Sequence, residues 1–352
     1  MEPFVEDGEL VGAGTSYGLL TPSEDRWVWA PTGSIDPRDV RAWERAPGAD
    51  RVLVGSTRGV YYSRDDGCSW SEVSGALGGT PVSAFALGEG RSPTLFAATE
   101  RSDGANSVWR SRDGGASWEK TSLEREDTLL GQMFGAGGVV AVEGFVRDQA
   151  TWRVWLSEDG GASWMESPDG TRLAGVSDGG ALVAVERGSD WDVLAWDGQS
   201  QGDVLATLPE RPEGAGKAGD TLLLWDGEQV VDADGAVSVD SAHCLLPDVS
   251  AGAVWLCEST VEDLGGHFLR IDAGAREALV DFQDVTPIEC PEGSTASELT
   301  LERWASLNSQ GVGSRDSEGS LEDDTGGGCG CGGGGAAAAL FVLCLGWSRR
   351  IA

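Results

Sequence analysis

Short apolar runs alternate with glycine-rich polar turns along most of the chain. VLVGSTRGVYYS (52–63), SVWRS (107–111) and TWRVWLS (151–157) combine β-branched and aromatic residues with the two-residue alternation of half-buried strands. Almost no segment between such runs carries a convincing helical period. The pattern predicts an all-β chain built from hairpins.

The hairpins repeat. SRDDGCSW (Ser63–Trp70), SRDGGASW (Ser111–Trp118) and SEDGGASW (Ser157–Trp164) all fit S-x-D-x-G-x-S-W, at spacings of 48 and 46 residues. The fixed positions are Ser63, Asp65, Gly67 and Trp70; Ser111, Asp113, Gly115 and Trp118; and Ser157, Asp159, Gly161 and Trp164. A carboxylate accepts bonds from nearby turn amides, glycine takes a positive φ, and the tryptophan returns to the core on the next strand. These residues are therefore expected to be structural. Weaker copies extend the series, giving turn aspartates at Asp25, Asp65, Asp113, Asp159, Asp197, Asp234 and Asp272, at intervals of 37 to 48.

Units of this length, rich in short strands, predict a β-propeller of seven blades, with six to eight allowed by the degenerate turns. ELVGAGT (9–15) leaves room for one strand before the first hairpin. The later segments DVTPIEC (284–290) and ELTLERWASL (298–307) are expected to supply the missing inner strand of the first blade. The propeller is assigned to residues 1–307, an acidic, glycine-rich linker to 308–328 and a distinct tail to 329–352.

Composition narrows the function. The formal charge of the 352-residue chain is −33, and Lys120 and Lys217 are its only lysines. Nucleic acid and anionic membrane surfaces demand basic patches, so nucleic-acid binding is not expected. His243 and His267 are the only histidines, and D-x-D-x-D-G loops are absent. No catalytic residue, cofactor or metal site is assigned. Of the seven cysteines, Cys68, Cys244, Cys257 and Cys290 lie in the body and form no C-x-x-C pair. Cys244 and Cys257, thirteen apart on what read as neighbouring strands, are one candidate disulfide. Cys290 competes for either, and buried free thiols are the alternative.

The three octapeptides resemble the Asp-box (BNR) repeats of sialidases, sortilin-type receptor domains and photosystem II assembly-factor-like proteins, all β-propellers. The resemblance implies boxes on the blade periphery, remote from ligand sites. A sialidase would need an arginine triad, a tyrosine nucleophile with a glutamate partner and an aspartate acid/base. Tyr17, Tyr61 and Tyr62 are the only tyrosines, and Tyr61 occupies the place of Trp109 and Trp155 in later repeats. The glycoside hydrolase therefore stands as an alternative, as does an assembly chaperone. The preferred reading is a non-catalytic, monomeric propeller that binds a protein or a glycan on one disc face. Trp27, Trp29, Trp43, Trp152 and Trp191 are not box residues and could stack on sugars.

The tail orders GGGCGCGGGG, the apolar run Ala336–Trp347 and then Arg349 and Arg350. It resembles the MYXO-CTERM sorting tail of myxobacterial surface proteins, which implies export, a transient membrane hold through this segment and processing at Cys329 or Cys331. The run is shorter than the ~20 residues of a stable spanning helix. Such a protein begins with an export signal, and MEPFVEDGELVGAG is acidic with no apolar core. The true start is therefore expected upstream of Met1; a gene fragment that is never exported is the alternative.

Overall fold

The computed structural model describes residues 2–294 apart from 7–8, 16–17, 24–25, 34, 47–50, 89–93, 178, 240, 249–250, 261–264, 273–274 and 292–293. Among the described residues the only helices are two 3-10 turns, Pro37–Asp39 and Phe282–Asp284. Everything else regular is strand. Strands such as Val52–Ser56 and Val139–Val146 are buried along nearly their whole length, because each sheet is covered by a neighbour on both faces.

Seven sheets follow one another in chain order, antiparallel except for one parallel pairing by which a late strand joins the first. Blade 1 holds β1 (Glu2–Glu6), β2 (Glu9–Thr15), β3 (Gly18–Ser23) and β4 (Arg26–Pro31). Blade 2 holds β5 (Val40–Arg45), β6 (Val52–Ser56), β7 (Gly59–Ser63) and β8 (Ser71–Glu72). Blade 3 is β9 (Val82–Gly88), β10 (Thr94–Thr99), β11 (Asn106–Ser111) and β12 (Glu119–Arg125). Blade 4 is β13 (Thr128–Ala136), β14 (Val139–Val146), β15 (Thr151–Ser157) and β16 (Met165–Glu166). Blade 5 runs through β17 (Thr171–Ser177), β18 (Gly180–Arg187), β19 (Asp190–Trp196) and β20 (Gln201–Leu208). Blade 6 runs through β21 (Gly214–Ala218), β22 (Thr221–Trp225), β23 (Val230–Asp232) and β24 (Val237–Val239). Blade 7 is β25 (Ala242–Asp248), β26 (Ala253–Thr260), β27 (Gly265–Asp272) and β28 (Ala275–Asp281), and β29 (Thr286–Pro287) follows it. The chain is a seven-bladed β-propeller.

The core is a ring of seven apolar clusters, each between two neighbouring blades. Successive side chains of a strand point to opposite faces. In β14, Val140 and Val142 therefore enter the cluster shared with blade 3, while Val139 and Ala141 enter the one shared with blade 5. In β6, Val52 and Val54 face blade 1, and Leu53 faces blade 3. Large anchors such as Phe96 and Trp155 are almost wholly buried, each contributing about 1.5–3 kcal/mol.

Closure differs from the sequence expectation. β1 already pairs with β2 and fills the inner place of blade 1, next to β5 and β25. The segment after Asp272 therefore finds no inner edge to complete. It pairs instead with the open rim edge of blade 1, Thr286 opposite Val28 and Pro287 opposite Trp29, in parallel with β4. ELTLERWASL lies outside the described residues, as do the linker and the tail with Cys329, Cys331, Arg349 and Arg350. Besides this pairing the ring is closed by packing, with Ala13, Leu20 and Trp29 of blade 1 against Cys257, Phe268 and Val280 of blade 7.

Two disulfides reinforce it. Cys244 and Cys257 face each other across β25 and β26 and are bonded, closing 13 residues. Cys68, inside the first octapeptide, is bonded to Cys290 just beyond β29, closing 222 residues. Chain entropy alone gives about 5 kcal/mol for the long loop and about 3 kcal/mol for the short one. Replacing Cys68 and Cys290 by serine should therefore lower the urea unfolding midpoint more than replacing Cys244 and Cys257. Equilibrium denaturation of the two double variants checks this; the reverse order would show that the rim bond does not hold the ring.

Candidate functional site

The two faces of the disc are built differently. Turns joining the first to the second and the third to the fourth strand of each blade lie on one face, here the turn face. The second-to-third and blade-to-blade connections form the opposite loop face. All three octapeptides join third to fourth strands and so lie on the turn face.

Their geometry is the same three times. Ser111 Oγ donates to Asp113 Oδ1 at 2.8 Å and accepts from the Gly115 amide at 2.8 Å. Asp113 Oδ1 then accepts from the Ser117 amide at 2.8 Å, and Oδ2 from Ser117 Oγ at 2.5 Å. Ser63, Asp65, Gly67 and Ser69 repeat this set, as do Ser157, Asp159, Gly161 and Ser163. Burial pushes the three aspartates up, but the bonds from these serines and amides outweigh it, and each carboxyl is held below its ordinary value.

The octapeptides also clamp each blade to the one before it. Gly115 and Gly161 have φ of +80° and +82°. A β-carbon there would come within 2.9 Å of Leu53 in blade 2 and 2.7 Å of Thr121 in blade 3, respectively. Glycine is thus needed twice over, for the turn and for the close approach. Trp70, Trp118 and Trp164 each pack on the cluster shared with the preceding blade. Arg51 Nη1 donates to the Gly114 carbonyl at 3.0 Å, and Arg110 Nη1 to that of Gly160 at 2.6 Å, both across the blade boundary.

The weaker copies diverge. Asp197 caps its turn, accepting from the Gln199 and Ser200 amides at 2.9 and 2.7 Å. In blade 6 the capping residue is Asp232 and not Asp234: it ends β23, and its Oδ1 reaches the amides of Asp234 and Ala236 at 3.0 and 2.9 Å. Asp272 ends β27 with its carboxylate 3.6 Å from Arg270, and Asp25 lies outside the described residues.

The candidate aromatic residues are largely engaged in packing. Tyr61 packs on the cluster between blades 1 and 2, where burial, then Glu72, push its hydroxyl up. Tyr62 packs between blades 2 and 3 with the Arg51 guanidinium 4.7 Å from its ring centre. Trp29 and Trp43 are buried, and Trp27 leans on the cluster between blades 1 and 7. The ring of Trp152 is covered by Arg172, 3.7 Å from its centre, while Arg172 grips the buried Glu143 with bonds of 2.9 and 3.0 Å. Trp191 stands half-buried on β19, and Tyr17 lies outside the described residues.

The loop face carries a cleft of about 450 Å³ over blade 3. Gly79, Thr80 and Pro81 wall one side, Glu100 to Asp103 the other, and Leu129 at the start of β13 forms the floor. Asn106 fixes the second wall: its side chain accepts from the Arg101 amide at 2.5 Å and donates to the Arg101 and Thr128 carbonyls at 3.0 and 2.7 Å. Arg147 clamps it from blade 4, donating to the Ser102 carbonyl at 2.6 Å. Glu100 is half-buried, and burial pushes its carboxyl up against the weaker opposing pull of Arg41. Sequence reading missed Glu100, because this irregular connection carries no repeat or motif.

No protein-family model matches the chain, and no curated protein matches it. Among solved structures it is similar to the β-propeller domain of the Trilobed protease from Pyrococcus furiosus, with 11% identity over 65% of this chain and 79% of that one and a TM-score of 0.46. It is similar to a GH74 xyloglucanase from Xanthomonas campestris, with 14% identity over 79% of this chain and 51% of that one and a TM-score of 0.40. It is also similar to the SapL1 lectin solved in complex with alpha methyl fucoside, with 13% identity, 67% and 93% coverage and a TM-score of 0.38. Likenesses at these identities concern the fold and nothing further.

Two expectations follow for the octapeptides. Ser111 is buried and serves a buried amide, whereas Asp113 is reached by water. Ser111→Ala should therefore cost about 1–3 kcal/mol and Asp113→Ala only about 1 kcal/mol, measured by urea unfolding. Equal costs would place the weight on the carboxylate. The depressed folded pKa values of Asp65, Asp113 and Asp159 stabilise the protein fully above the unfolded value of about 4. That contribution is lost as pH falls through the folded values. The triple Asp→Asn variant should accordingly lose less stability than the parent between neutral pH and acid.

Proposed function

We propose that the protein is an exported, surface-held, non-catalytic propeller of the Asp-box class that binds a partner protein through its loop face. The observation that carries this reading is the pairing of all four body cysteines, Cys68 with Cys290 and Cys244 with Cys257. Such bonds persist in oxidising compartments and are rare in the cytosol. The tail supports the same address: its Gly-Cys motif, apolar run and Arg349-Arg350 stand in the order of a MYXO-CTERM-like sorting signal. Cys290 leaves the propeller beside the first octapeptide, on the turn face.

A protein partner fits better than a glycan. Sugars ride on exposed aromatic faces, but Trp29 and Trp43 are buried, Trp152 is covered by Arg172 and the cleft is lined by no aromatic side chain. The tyrosines Tyr61 and Tyr62 support packing and not glycoside hydrolysis. The proposal is tested on the native gene product in its own host, by cell fractionation and peptide mapping without reduction. The expected result is a surface-exposed protein that carries both disulfides and ends near Cys329 or Cys331. A cytosolic protein with free thiols and an intact Ala352 would overturn it.

A further inference from the structure

We infer that the cleft over blade 3 receives a single lysine or arginine side chain of a basic partner protein, with Glu100 as its counter-charge. The inference rests on the reading of the propeller as a protein-binding scaffold and names the chemistry it recognises.

Four observations lead to it. First, the Glu100 side chain is half-buried, and the charge of Arg41 offsets only part of the cost of that burial. A desolvated carboxylate compensated only in part is costly, and a charged donor from outside removes that cost. Second, of the nearby cations only Arg41 acts on Glu100, by less than burial costs it, and the other two are turned elsewhere. Arg101 folds back over its own loop, its guanidinium 3.5 Å from where a β-carbon on Gly104 would stand and 4.0 Å from Asp103. Arg147 donates to the carbonyls of Ser102 and Glu126 at 2.6 and 2.9 Å. Third, the lining suits an amphipathic stick: Leu129 and Pro81 offer apolar surface for a methylene stem, and of the two carboxylates in the lining Asp103 lies beside Arg101, which leaves Glu100 for its charged end. A saccharide would ask for several converging hydrogen-bond partners and an aromatic platform, and the lining has no aromatic side chain. Fourth, a chain of charge −33 attracts basic partners over distance, which raises their encounter rate and leaves the cleft to fix the register.

The full chain, with leucine methyl groups carbon-13 labelled, is titrated with N-acetyl-lysine methylamide, N-acetyl-arginine methylamide and methyl α-glucoside while the Leu129 methyl signals are followed. The two cationic probes are expected to shift Leu129 saturably. Glu100→Gln should weaken that response about tenfold, as loss of a charge-assisted bond does. Because burial of the Glu100 carboxylate outweighs the pull of Arg41, this variant should keep the parent's melting temperature. Asp234→Asn, on the turn face, should leave the response unchanged and so separates the cleft from general attraction to an acidic protein. Equal responses in the parent and in Glu100→Gln would overturn the inference. So would a Leu129 shift with the glucoside alone, which would make the cleft a sugar site, or no shift with any probe. None of these results touches export, which stands or falls on the fractionation and disulfide mapping.

Discussion

Every blade of this protein is a small sheet that is apolar on both faces, and no such sheet can stand alone. Four short strands expose too much apolar surface in isolation, so each must be covered by a neighbour on either side. The only arrangement that covers all of them is a closed ring. The seven inter-blade clusters are therefore the source of the architecture, and the turns, staples and loops are conditions under which that ring can close.

The two ends of the described chain meet at the boundary between blades 1 and 7, where no inner strand is shared. The chain meets this by laying β29 along the rim of blade 1 and bonding Cys290 to Cys68 in blade 2. The strap thus runs from blade 7 past blade 1 to blade 2 and spans the boundary from outside. Covering the edge of β4 also removes one unpaired strand edge from solvent.

The two faces divide the work. On the turn face, serine and aspartate side chains satisfy the backbone locally, and glycine lets each turn sit against the blade before it. Such a face is stiff and repetitive. The loop face is held by contacts that change from blade to blade, such as those of Ser56, Asn106 and Arg147. Glu100 can remain half-buried there with only the pull of Arg41 against that burial, because the rigid ring beneath it supplies the stability that the loop does not.

The alternation of apolar residues and the recurrence of Ser-x-Asp-x-Gly-x-Ser-Trp were enough to read the all-β class, the repeat length and the blade count from the chain alone. Both are local: a strand's period and a turn's capping depend on residues within a few positions of one another. The pairing of Asp232 in place of Asp234 was hidden, because which carboxylate reaches the turn amides depends on where β23 ends. The position of the closing segment was hidden for a stronger reason. Whether Thr286 and Pro287 join the inner or the outer edge of blade 1 depends on whether β1 already fills the inner one, a fact about strands some 280 residues apart. The same holds for the bond between Cys68 and Cys290 and for the cleft, whose walls come from blades 2 and 3 and whose floor comes from blade 4. The sequence by itself determined the unit and how often it repeats, since those follow from short-range sterics and hydrogen bonding. Only the tertiary structure decided how the ring closes and which side chains meet on its loop face, since those depend on contacts the chain makes after it has come full circle.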